Sequence, residues 1–159
     1  MRILGIDPGI ARCGWGTIER IKNHELRVMN YGCVETRNNL AIEERLKTVY
    51  EQITEIIKKE KPDVLAIEEL FFNTNAKTAF VVGQARGVVL LACAIANIPI
   101  AIYTPLQVKV AVTGYGKAEK LQVGKMVKAL LKLKEIPKPD DVTDALAIAL
   151  THAFTKKFK

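Results

Sequence analysis

The sequence is poor in the residues that build covalent or soft-metal frameworks. Its 159 residues hold three cysteines, Cys13, Cys33 and Cys93, odd in number and widely spaced. That excludes a disulfide frame or thiolate zinc site and fits small buried hydrophobes in a reducing cytoplasm. The two histidines do not cluster: His24 reads as a surface turn residue and His152 as a helix-end residue, not a ligand. A long, clean apolar run is also missing. Residues 81–102 come closest, but Gln84, Arg86, Asn97 and Pro99 interrupt them, so no membrane span is expected. Met1 leads straight into a strand with no basic n-region or cleavage site, so no secretory leader is expected. Internal repeats and low-complexity segments are absent. A phosphate loop is lacking too. Gly114-Tyr115-Gly116-Lys117 has the wrong spacing, and no Ser or Thr follows the lysine.

What is present suits one soluble domain with a real core. The chain is 49% hydrophobic and 26% charged. The domain is expected over residues 1–155, followed by a basic tail, Lys156-Lys157-Phe158-Lys159. Net charge is +7, a weak pointer to a polyanion on its own. Its distribution says more. Between Lys109 and Lys138 there are eight lysines and only two acids, Glu119 and Glu135. The competing interpretation is a solvated helix face with a frayed end.

The chain is organised around Arg2–Gly9. Ile3, Leu4 and Ile6 form a strand buried on both faces, which ends on Asp7 before the Pro8-Gly9 turn. Gly14–Ile21 and Leu26–Glu35 follow as strands, joined by a turn at Asn23-His24, giving a three-stranded antiparallel meander. Apolar residues from Ile42 to Ile57 recur at helical spacing, and the helix stops near Lys61-Pro62. Val64–Ile67 is a buried strand ending in Glu68-Glu69. Phe71–Lys77 reads as a loop with two exposed aromatics. Thr78–Ala96 is a helix apolar nearly all round, Pro99–Tyr103 a short strand and Leu106–Val112 a brief helix. Ala118–Leu133 is a lysine-rich helix. Asp140–Phe154 is the last, with Asp140 as N-cap. Strands separated by helices after a meander make a mixed α/β sheet. A right-handed crossover would set Val64–Ile67 parallel to the first strand.

Parallel strands end at one edge, where open α/β sheets bind ligands. Asp7 would therefore meet a carboxylate from Glu68 or Glu69; these two point to opposite faces, and periodicity does not choose between them. Asp141 and Asp144 share the first turn of the last helix. Acids suit a helix N-terminus, but that explains Asp144 poorly, because the apolar Ala-Leu-Ala-Ile-Ala-Leu follows it. Hard oxygen ligands without a histidine or cysteine cluster select Mg²⁺ or Mn²⁺. Two such ions about 4 Å apart can hydrolyse a phosphodiester.

Several motifs stand in order along the chain. They are Ile-Asp-Pro-Gly at the first strand, Ala-Ile-Glu before a Phe-containing loop and Gly83-Gln84-Ala85-Arg86-Gly87. Then come Gln107-Val108-Lys109, Gly116-Lys117-Ala118-Glu119-Lys120 and Asp141-Val142-Thr143-Asp144-Ala145-Leu146-Ala147. As an ordered set they resemble the RuvC family of bacterial Holliday-junction resolvases. The resemblance runs from Arg2 to about His152. It implies an RNase H-like fold with five strands, three in an antiparallel meander and two parallel, flanked by helices. It also implies a homodimer and Mg²⁺-dependent paired nicking of four-way DNA junctions in recombination and repair. By it, Asp7, Glu68, Asp141 and Asp144 are the catalytic, metal-holding acids, with two ions per site and Mn²⁺ as a substitute for Mg²⁺. DNA-binding residues would be Phe71, Phe72, Lys109, Lys117 and Lys120. The RuvA–RuvB branch-migration complex would be a partner, and the protein would be cytoplasmic and nucleoid-associated. Glu69 and Phe72 depart from the family pattern: the first adds a fifth acid near the site, the second a second aromatic. Two other functions compete. One is the ATP-binding half of an actin or sugar-kinase fold, which needs a second domain that 159 residues do not supply. The other is an RNase H-like nuclease acting on RNA–DNA hybrid.

Overall fold

Strand β1 (Arg2–Asp7) is the middle strand of a five-stranded sheet, as its two apolar faces require. The sheet order in this computed structural model, which describes residues 1–21, 25–70 and 76–155, is β3-β2-β1-β4-β5. Strands β2 (Arg12–Arg20) and β3 (Leu26–Glu35) complete the antiparallel meander. Helix α1 (Ile42–Glu60) crosses over to β4 (Val64–Glu68), which lies parallel to β1 with Ile6 opposite Ile67. Helix α2 (Ala76–Ile95) leads to β5 (Ile100–Tyr103), parallel to β4. Then come α3 (Pro105–Thr113), α4 (Lys120–Leu130) and α5 (Asp140–Thr155). The Asn23-His24 turn, Phe71, Phe72 and the Lys156–Lys159 tail lie outside the described residues.

Side-chain alternation divides the core into two layers. Ile3, Ile18, Val64, Ala66 and Tyr103 pack with α5, through Leu146, Leu150 and others. Leu4, Ile6, Leu65 and Ile67 pack on the far face with Val49, Ile53 and Ile57 of α1 and Val89 and Cys93 of α2. Leu146, Ile148 and Leu150 of α5 are fully buried. Truncating such a leucine to alanine costs about 2–5 kcal/mol.

Four details differ from the sequence reading. Strand β2 starts earlier than expected, at Arg12, because its pairing with β3 continues past Gly14, with Cys13 opposite Val34 and Arg12 opposite Glu35. Helix α4 is shorter than the Ala118–Leu133 expectation: Lys132 takes a left-handed φ of 52° and ends it. Asp140 is not outside α5 as a cap but inside its first turn, with the Pro139 carbonyl accepting from Val142 N at 3.0 Å. His152 is in the last turn but buried, its Nδ1 2.7 Å from the Tyr103 hydroxyl.

Helix α2 shows the largest difference. By length and composition Lys77–Ile95 is apolar enough to cross a membrane, with a mean hydropathy of 1.8, despite Gln84 and Arg86. It packs against α1 and the sheet through Ala85, Val89, Ala92 and Cys93. Phe80, Leu91 and Ile95 are 66%, 54% and 61% exposed on its other side, with Gly87 between them. At the adjoining sheet edge, Ile100 and Ile102 of β5 are exposed as well.

Candidate active site

The register of β1 and β4 sets the first two acids side by side. Ile6 opposite Ile67 brings Asp7 beside Glu68 at the carboxyl ends of parallel strands. Both share parity with the residues that face α5, namely Ile3 with Asp7, and Val64 and Ala66 with Glu68. Glu69 has the opposite parity. It is exposed, and its backbone N donates to the Tyr103 carbonyl at 2.7 Å.

The helix that supplies the other acids sits unusually close to the sheet. A Cβ on Gly5 would lie 2.0 Å from the Ala145 carbonyl oxygen, and one on Gly14 2.0 Å from the Asp141 carbonyl oxygen. Only glycine at these strand positions lets the N-terminal half of α5 lie directly over β1 and β2. That approach is what brings Asp141 and Asp144 to Asp7. The sequence reading missed these glycines, although Gly14-Trp15-Gly16 inside a strand was the available signal.

Asp7, Glu68 and Asp144 open onto one cavity of about 300 Å³, walled opposite by Lys109 and Lys120. Helix α3 holds Lys109 there. Its first turn is fixed by a reciprocal cap, Gln107 N donating to Thr104 Oγ1 at 3.1 Å and Thr104 N to Gln107 Oε1 at 2.8 Å. Lys120 is the first residue of α4, and its Nζ lies 2.8 Å from Asp144 Oδ2 and 3.7 Å from Asp140 Oδ2. Asp141 lines a neighbouring groove with Arg12, Glu35 and Thr36 instead. Lys117 is exposed in the turn between α3 and α4 and is not part of the cavity wall. Phe71 and Phe72 lie outside the described residues.

The carboxylates strain one another. Burial, followed by the charges of Asp144, Asp141 and Glu68, pushes the Asp7 carboxyl from its ordinary 3.8 up to about 7, with Lys120 opposing. Burial raises Glu68 as well; Asp144 adds to the rise and Lys109 counters it. Burial also raises Asp144, and its bond to Lys120 draws it part of the way back. Among the described residues, no three Asp, Glu, His or Cys side chains surround one point closely enough to hold a metal ion. The donor set nevertheless fits a hard divalent cation. It is all oxygen, it carries more negative charge than its surroundings neutralise, and a lysine ammonium already sits on one of its members. Arg86 of α2 also reaches the site, its Nε donating to the Glu68 carbonyl at 3.3 Å.

The chain is similar to known proteins over nearly its whole length. The family model for crossover junction endodeoxyribonuclease RuvC matches residues 3–152. A protein of that name from Desulforamulus reducens is 59% identical over 153 residues, covering 96% of this chain and 93% of the relative. Its namesake from Brevibacillus brevis is 52% identical over 158 residues, covering 99% and 95%. The structure of T. thermophilus RuvC in complex with a Holliday junction substrate superposes with a TM-score of 0.92 at 39% identity, covering 98% of this chain and 94% of that one.

Proposed function

The chain belongs to the RuvC family of crossover junction endodeoxyribonucleases, and from that premise we propose how its own residues resolve a Holliday junction. The observation that carries the proposal is the convergence of Asp7, Glu68 and Asp144 on one cavity whose other wall is Lys109 and Lys120. Acids gather there to hold divalent metal, and lysines to hold the phosphates on either side of the scissile bond.

Asp7, Glu68, Asp144 and, from the adjoining groove, Asp141 are the residues that would hold Mg²⁺ or Mn²⁺, with charge enough for two ions. Such ions supply an activated water and a counter-charge for the leaving oxygen. The protein does the rest. Burial and acidic neighbours make Asp7 hold its proton more tightly than an ordinary carboxyl, so proton and cation compete for it and loading weakens as pH falls. Lys109 holds backbone phosphate against the cavity wall and fixes the register of the DNA without reading sequence. Phe71 and Phe72 follow Glu68 by three and four residues in the sequence, a reach that suits stacking on bases that a junction leaves unpaired. Lys117, exposed in the turn before α4, extends the positive surface.

Resolution needs two nicks related by a two-fold axis, and one chain has one set of acids. A second copy of this chain supplies the other set. The exposed side of α2, with Phe80, Leu91, Ile95 and the open Gly87, is the proposed self-complementary surface, extended by Ile100 and Ile102. Arg86 links that helix to the backbone of Glu68, so the same element serves the dimer and the site. Family membership also points to the RuvA–RuvB complex as the machine that delivers junctions, and to the bacterial nucleoid as the place of work.

Asp7→Asn tests the assignment. The amide keeps the shape and loses the charge, so nicking should fall by at least about a thousandfold while junction affinity is kept or improved. Near-normal nicking by Asp7→Asn would remove Asp7 from the metal site.

A further inference from the structure

Lys120 stands at the wrong end of its helix. It is the first residue of α4, where free backbone N–H groups already present partial positive charge. The N-cap Glu119 offsets that charge in part, its backbone N donating to Gln122 Oε1 at 2.8 Å, and α5 supplies the direct partners of the Lys120 ammonium. Its Nζ lies between Asp144, at 2.8 Å, and Asp140, at 3.7 Å, two carboxylates one helical turn apart. Lys109 faces the same cavity without an ion pair among the described residues. The two lysines are thus in different states, although sequence pattern makes them equivalent. An ammonium 2.8 Å from Asp144 Oδ2 neutralises the charge and fills a lone-pair direction that a divalent ion would use, so the two cations compete for Asp144.

We infer that Lys120 is a placeholder for the metal. It neutralises Asp144 while the site is empty, surrenders that carboxylate when the ion enters, and only then has its ammonium free for a DNA phosphate. The inference rests on the metal-and-DNA reading above and goes further. It makes metal loading and the Lys120–phosphate contact a single exchange, so each strengthens the other by the same factor. The pair is accessible enough to exchange, with the Lys120 side chain 60% exposed and that of Asp144 30%.

Two measurements test it, and neither relies on cleavage. The first is calorimetric titration of the DNA-free protein with Mn²⁺. Lys120→Met should bind the ion about tenfold more tightly than wild type, the scale of one partly exposed charge-assisted pair. Lys109→Met, which removes the same charge from the same cavity, should change affinity far less. Unchanged or weaker binding by Lys120→Met overturns the inference. So does equal tightening in both variants, which would mark a general field effect and not occupancy of Asp144. The second is the salt dependence of junction binding. Lys120→Met should lower the slope of log K by about one unit in Ca²⁺ and leave it unchanged in EDTA, whereas Lys109→Met should lower it in both. A loss of slope for Lys120→Met in both conditions, or in neither, contradicts the exchange. Wild-type nicking of a junction in Mg²⁺ tests the underlying reading separately, so a negative result with nicking intact overturns the placeholder alone.

Discussion

Asp7 is the residue on which most of the site's physics falls. Its carboxyl titrates at about 7 in the folded protein against an ordinary 3.8. A raised carboxyl binds its proton more tightly when folded, so protonation favours the native state. That contribution is complete below about pH 4 and is lost as pH rises through 7. Without metal, wild type therefore carries a penalty at pH 8 that Asp7→Asn does not. Thermal melts in EDTA should show Asp7→Asn more stable by about 1–3 kcal/mol at pH 8, with the gap closing near pH 4. Equal melting at pH 8 would mean that burial and the neighbouring acids do not raise the Asp7 carboxyl. Asp7, Glu68 and Asp144, which share the cavity, stand out in the sequence because each ends a buried strand or opens a buried helix, as does Asp141 of the adjoining groove. Period-two alternation separates Glu68 from Glu69 but does not say which face carries α5; the family resemblance pointed to Glu68. The split between Lys109 and Lys120 was equally hidden, since only the approach of α5 to α4 pairs one of them. Lys109→Ala should weaken junction binding without altering sequence preference and lower the salt slope by about one unit; an unchanged slope returns Lys109 to a solvated helix face.

At the scale of elements, the site depends on how closely α5 lies on the sheet. Gly14 is the contact that decides where Asp141 stands, because any Cβ there meets the Asp141 carbonyl oxygen at 2.0 Å. Backbone cannot yield as a side-chain tip does. Gly14→Ala should push the start of α5 outward, cut nicking about a hundredfold and destabilise by about 1–3 kcal/mol. Wild-type nicking by a folded Gly14→Ala protein would show that Asp141 has no exacting place in the site. The strands, their order of appearance and α1 were readable from alternation and helical spacing. Helix α2 was readable as a helix but not in orientation. Its periodicity suggested two possible outward stripes, Val82, Arg86, Val89 and Cys93 or Ala85, Val88 and Ala92. Neither is outward: Ala85, Val89, Ala92 and Cys93 are buried, and the exposed side is that of Phe80, Gly87 and Leu91. A helix apolar on every side has no polar face to mark the solvent, so only packing reveals its inner face.

At the scale of the whole molecule, the exposed apolar side of α2 and the single set of acids make one argument. A charge buried unpaired in a dimer interface is costly. Leu91→Glu should leave the fold intact, since the side chain is 54% exposed, and should shift sedimentation from dimer to monomer at micromolar concentration. The monomer should still nick but lose the pairing of nicks. A wild-type protein that sediments as a monomer both free and on junction DNA would remove the dimer from the account. The architecture around β1 was foreseen from the chain's order of strands and helices, and the full-length match to RuvC nucleases disfavours a nucleotide-binding half-domain. The most direct test of the central claim is to incubate the wild-type protein with a synthetic four-way junction, a linear duplex and an RNA–DNA hybrid, each with Mg²⁺ and with EDTA. The account predicts symmetric nicks on two opposing strands of the junction, only with Mg²⁺, and little or no cutting of the other two. Comparable cutting of duplex or hybrid, or junction cutting that survives EDTA, would contradict it.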